Sequence, residues 1–64
     1  MTETEGIQTI RNIEKLGALR AVLEMYERDG ATRKEWRELA REFKSINSIA
    51  NADWCIKRGE EAAA

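Results

Sequence analysis

Residues 32–43, Thr32-Arg33-Lys34-Glu35-Trp36-Arg37-Glu38-Leu39-Ala40-Arg41-Glu42-Phe43, decide the fold. Thr32 and Glu35 stand three apart, the spacing of a capping box. In that box the threonine hydroxyl and the glutamate carboxylate each accept from the other residue's backbone amide, which a helix start otherwise leaves unpaired. Trp36, Leu39, Ala40 and Phe43 then follow at i, i+3, i+4 and i+7, one face of a 3.6-residue helix. Charged residues fill the remaining positions. The pattern predicts an amphipathic helix over 33–44 whose apolar face is covered by other helices.

Upstream, Ile7, Ile10, Ile13, Leu16, Leu19, Leu23 and Tyr26 recur every three or four positions. Read as a single stripe, they predict a long first helix over 5–28. Gly30 supplies the left-handed residue expected just beyond the last turn. Gly17 lies inside this pattern at a cost of about 1 kcal/mol relative to alanine; it is either a tolerated glycine or the mark of a close helix crossing or kink. Downstream, Lys44-Ser45 interrupts the apolar pattern, and Ser45, Asn47 and Ser48 are all competent N-caps. A third helix is expected over 46–58, stopped by Gly59, with Ile49, Ala52 and Ile56 on its core face and Cys55 at the margin. The expected fold is therefore all-α: a three-helix bundle with a long first helix, packed around Leu19, Leu23, Tyr26, Trp36, Leu39, Phe43, Ile49 and Ile56.

Composition narrows the chemistry. The chain has 64 residues, one cysteine, no histidine and no proline. Residues 1–59 read as a single helical domain and 60–64 as a flexible tail, its alanines a candidate cloning remnant. One thiol forms no internal disulfide and cannot build a zinc site without histidine. No histidine stands ready to activate Cys55, and the carboxylates are scattered along polar helix faces, so neither nucleophilic nor acid–base catalysis is expected. The glycines stand singly and form no phosphate-cradling loop. The expectation is a protein that is not an enzyme and has no metal and no cofactor. No apolar run suits a bilayer, and the acidic start Met1-Thr2-Glu3-Thr4-Glu5 is unlike an export signal, so a cytoplasmic location is expected.

The stretch 32–58 resembles the helix-turn-helix DNA-binding families. The match lies in Leu39-Ala40-Arg41-Glu42-Phe43, where those families favour an apolar residue, an alanine at the helix contact, and an apolar residue three further on. It departs from them at Lys44, where a turn glycine is usual, and at Ser45, where an apolar residue is usual and Ile46 comes one position late. The resemblance implies a helix-turn-helix-like pair with helix 46–58 as the reader of DNA, in a small DNA-binding transcription regulator of the kind a phage or mobile element encodes.

Charge is arranged in keeping with this. The net charge of the chain is −1, yet the basic residues Arg33, Lys34, Arg37, Arg41, Lys44, Lys57 and Arg58 concentrate in the motif. The expected DNA-binding residues are Arg33, Lys34, Arg37, Lys44, Lys57 and Arg58 on phosphates, Asn47 and Asn51 on base edges, and Trp54 on a sugar or a thymine methyl. The competing class is a non-catalytic protein-interaction module: homodimer, inhibitor or adaptor. A first helix longer than the other two leaves part of its apolar stripe uncovered, and such a stripe marks an interface. The expected homodimer interface is Ile7, Ile10, Ile13 and Leu16, since two-fold pairs dominate oligomers.

Overall fold

The computed structural model describes the backbone of residues 3–62 and the side chains of residues 9–62. Its elements are three α-helices, α1 (Glu3–Asp29), α2 (Arg33–Ser45) and α3 (Ile49–Glu61). The expected capping box sets the start of α2. The Glu35 amide donates to Thr32 Oγ1 at 3.1 Å and the Thr32 amide to Glu35 Oε1 at 3.0 Å. Gly30 ends α1 with φ of +89°, its amide donating to the Tyr26 carbonyl at 2.8 Å.

The turn between α2 and α3 corrects the expected start of the third helix. Asn47 takes the left-handed conformation, with φ of +61°. Its amide donates to the Lys44 carbonyl and the Ser48 amide to the Phe43 carbonyl, each at 2.9 Å. This pair of bonds is a Schellman ending, which needs a residue that tolerates positive φ; asparagine is the usual substitute for glycine there. Asn47 and Ser48 are thereby taken out of α3, which begins at Ile49. Ser48 sits at its N-cap with no side-chain cap bond; its Oγ accepts from Asn51 Nδ2 at 2.8 Å instead.

The far end of α3 also differs from expectation. Gly59 does not stop the helix, and Glu60 and Glu61, assigned above to a tail, are helical. A β-carbon on Gly59 would lie 3.0 Å from Trp36 Cβ. This glycine serves close packing of α3 against α2 rather than termination.

The core gathers Leu23 from α1, Trp36, Leu39, Ala40 and Phe43 from α2, and Ala52 and Cys55 from α3. Leu16, Leu19, Val22 and Tyr26 pack against it, half-buried. Trp36 meets Tyr26 edge-on, ring centroids 5.4 Å apart at 77°. Ile49 and Ile56, placed in the core from sequence, are exposed at 47% and 37%. The buried face of α3 is Ala52–Cys55–Gly59, because small residues let its axis approach α2; the two isoleucines flank that seam.

The first helix departs most from the sequence reading. Ile7, Ile10, Ile13, Leu16 and Leu19 are spaced by three throughout, and at about 100° per residue each step of three falls back by about 60°. The supposed stripe winds around the helix. Leu16, Leu19, Val22, Leu23 and Tyr26 face the core, while Ile10 and Ile13 point away from it, 58% and 64% exposed. The side chain of Ile7 lies outside the described residues. The described chain measures 45 × 17 × 15 Å; only the C-terminal part of α1 is covered by the α2–α3 hairpin. No helix among the described residues is long and apolar enough to cross a membrane.

Cys55 is fully buried. Desolvation, reinforced by the Glu27 carboxylate, pushes its thiol from an ordinary 9.0 up to about 11. Because the folded value is raised, the associated stability is intact below pH 9 and is lost as pH rises toward 11. At about 1.4 kcal/mol per unit, the loss is about 2–3 kcal/mol. Urea denaturation from pH 8 to 11 is expected to show this decline, and Cys55→Ala is expected to flatten it; an unchanged slope in the variant would remove Cys55 as its source.

Candidate polyanion-binding face

The helical repeat sorts the charges of α2 onto opposite flanks. Arg33, Arg37, Arg41 and Lys44 fall within about 80° of arc, with Lys34 just beyond, whereas Glu35, Glu38 and Glu42 occupy a separate sector. The cationic flank borders α3 and the acidic flank borders α1. On the acidic side Lys15 reaches across from α1, with its Nζ 2.9 Å from Glu42 Oε2 and 2.9 Å from Ser45 Oγ. On the cationic side Arg33 donates from Nε to the Gly59 carbonyl at 3.4 Å. Lys34, Arg37, Arg41, Lys44 and Lys57 have no carboxylate within ion-pair distance among the described residues. The i,i+4 pairing of Arg and Lys with Glu that neutralises an ordinary solvated helix is absent here.

These cations rim a groove between α2 and α3 on the side away from α1. Arg37, Ala40, Arg41, Lys44 and Ile56 line a depression of about 450 Å³. Arg33, Arg37, Ile56, Gly59 and Glu60 line another of about 250 Å³. Arg37 and Ile56 are common to both. From Arg33 to Lys44 the ladder runs about 16 Å along the helix. Arg33–Arg37 and Arg37–Arg41 are like-charged neighbours at i,i+4, each of which weakens a helix by about 0.2–0.5 kcal/mol. An anion lying along this face relieves that repulsion.

The residues expected to read bases are placed differently. Asn51, Trp54 and Arg58 turn toward α1 (Asn51 half-buried, Trp54 still 45% exposed). Trp54 Nε1 donates to Glu27 Oε1 at 2.6 Å, and Arg58 Nε lies 4.0 Å from the same oxygen. The Arg58 guanidinium stands 5.8 Å from the Trp54 ring centroid, a cation–π contact. Arg20 Nη1 donates to Asn51 Oδ1 at 3.4 Å. These side chains tie α3 to α1 along its length. Asn47 stands exposed in the turn. The outward side of α3 instead shows Ala50, Asp53, Lys57 and Glu60. Arg41, left out of the expected contact set, is a central rung of the ladder; its position four after Arg37 was the signal. No three metal-competent side chains among the described residues come together. The chain was compared with protein-family models, with curated proteins and with solved structures, and it matches none of them.

Proposed function

We propose that the chain is a DNA-binding regulator that acts by occupying its site, with α2 laid along the phosphate backbone. The observation that carries this reading is the ladder Arg33–Arg37–Arg41–Lys44, four cations on one flank of α2 with no carboxylate paired to them among the described residues. DNA presents one negative charge per about 1.7 Å of axis, so a rod of positive charge about 16 Å long meets several phosphates at once. Lys57 extends the cationic surface onto α3. Contacts of this kind fix position and orientation without reading sequence. Base recognition then falls to residues near the groove that α1 does not engage, Asn47 in the turn and the Ala50–Asp53–Lys57 side of α3. Trp54 and Arg58 act from behind, holding α3 at its angle.

Fluorescence anisotropy with mixed-sequence double-stranded DNA tests the reading. Four phosphate contacts imply an affinity that falls about a hundredfold as salt rises from about 50 to about 200 mM. Arg37→Glu/Arg41→Glu is expected to abolish binding while the thermal transition stays in place, since both side chains are exposed. No binding at the lowest salt, or binding unchanged in the double variant, overturns it.

A further inference from the structure

We infer that Ile49 and Ile56 cover thymine methyl groups in the major groove while the cations of α2 hold the neighbouring phosphates; this step rests on the DNA reading above and names what that site reads. On the side away from α1, the two helices present walls of unlike chemistry. The α2 wall is Arg33, Arg37, Arg41 and Lys44. The flank of α3 beside it is Ile49, Asp53, Ile56 and Glu60, which fall within about 60° of arc, with Lys57 and Ala50 just beyond. Ile49 and Ile56 are exposed although the smaller Ala52, Cys55 and Gly59 are buried. Ile56 stands with Arg37 in both depressions of the groove. Asp53 and Glu60 have no cation within ion-pair distance among the described residues.

Charge decides what this flank of α3 meets. With two carboxylates and no cation it repels phosphates, yet it borders the ladder that attracts them. A duplex gripped by α2 therefore offers it base edges. Those edges match its chemistry: the amino groups of adenine and cytosine donate to a carboxylate such as Asp53, and the C5 methyl of thymine is an apolar group in the major groove. An apolar protein surface laid over the two isoleucines would instead bury the neighbouring cations without counter-charge, which is costly. A duplex supplies methyls and phosphates together. The major groove is about 12 Å wide and admits a helix, so α3 lies in it with α2 on the backbone at its edge. Ile49 and Ile56 are seven residues apart, about 10.5 Å along the helix. At about 3.4 Å per base pair this is about three steps of the duplex.

Fluorescence anisotropy with two duplexes tests this: an alternating adenine–thymine duplex, and the same duplex with deoxyuridine in place of every thymine. The exchange removes the methyl and leaves every phosphate and every hydrogen-bonding group in place. Covering one methyl contributes about fourfold in affinity, so two contacts predict a preference for thymine of about fifteenfold. Raising salt from about 50 to about 200 mM is expected to weaken both complexes together and leave their ratio unchanged, because a methyl contact releases no counterion. Ile49→Ala/Ile56→Ala is expected to bind both duplexes alike, near the parent's affinity for the deoxyuridine duplex, with circular dichroism reporting that it is folded. Ile49→Ala alone, at the more exposed of the two positions, is expected to lose about fourfold of the preference. Equal affinity of the parent for the two duplexes overturns the inference and leaves the ladder standing. A thymine preference that survives in the double variant overturns the role of the isoleucines. No binding to either duplex at the lowest salt overturns the DNA reading and this inference with it.

Discussion

Phe43→Ala is expected to leave the chain largely unfolded at room temperature. Phe43 has no exposed surface and is the largest fully buried side chain among the described residues. It belongs to the one buried cluster that also takes Leu23 from α1 and Ala52 and Cys55 from α3. Truncating a buried phenylalanine costs about 3–5 kcal/mol. A single core in a domain of this length rarely supplies more than about 3–5 kcal/mol, so the loss takes most or all of it. Far-UV circular dichroism with urea titration checks this: the helical signal is expected to fall by more than half without denaturant, whereas Phe43→Leu, which keeps most of the volume, retains a cooperative transition. A Phe43→Ala protein with an unshifted midpoint would mean that α2 does not bury this face.

Gly59→Val is the second large effect. At this position the ideal β-carbon lies 3.0 Å from Trp36 Cβ and 3.6 Å from the Arg33 carbonyl oxygen. Trp36 is itself buried and held edge-on by Tyr26, so it cannot swing aside. A branched side chain forces α3 off α2 at an overpacking cost of about 1–3 kcal/mol, which outweighs the helix propensity gained by losing a glycine. Gly17→Ala gives the contrast. It faces open space and is expected to stabilise by about 1 kcal/mol. Thermal melts of the two variants are expected to move in opposite directions; a Gly59→Val protein as stable as the parent would refute the close approach of α3 and α2.

Gly59 also shows how the cationic groove is built. Ala40, Ala52 and Gly59 let α3 lie tight on α2, so Ile56 is displaced to the rim beside Arg37 and Arg41 rather than buried. The same seam that stabilises the hairpin thus brings an exposed aliphatic side chain under the row of cations. Glu27 has a parallel role on the other side: by engaging Trp54 and Arg58 it turns their polar atoms toward α1 and leaves α2 as the principal cationic surface.

What the chain determines by itself is local. The Thr32–Glu35 box, the apolar face Trp36–Leu39–Ala40–Phe43 and the stop at Gly30 are legible because each depends on hydrogen bonds or side-chain spacing within a few residues along one helix. The row of basic residues on α2 is legible for the same reason. What tertiary structure decided is which side of each remaining helix is inward. A run of threes in α1 is consistent with several faces, and only the position of the hairpin selects Leu16–Leu19–Leu23 over Ile10–Ile13. In α3, contact with α2 favours small residues over the greasier Ile49 and Ile56, because the distance between helix axes, set by Trp36 against Gly59, outranks side-chain hydrophobicity. The use of Asn51, Trp54 and Arg58 as links to α1 likewise follows from where the helices meet, which depends on residues some thirty positions apart.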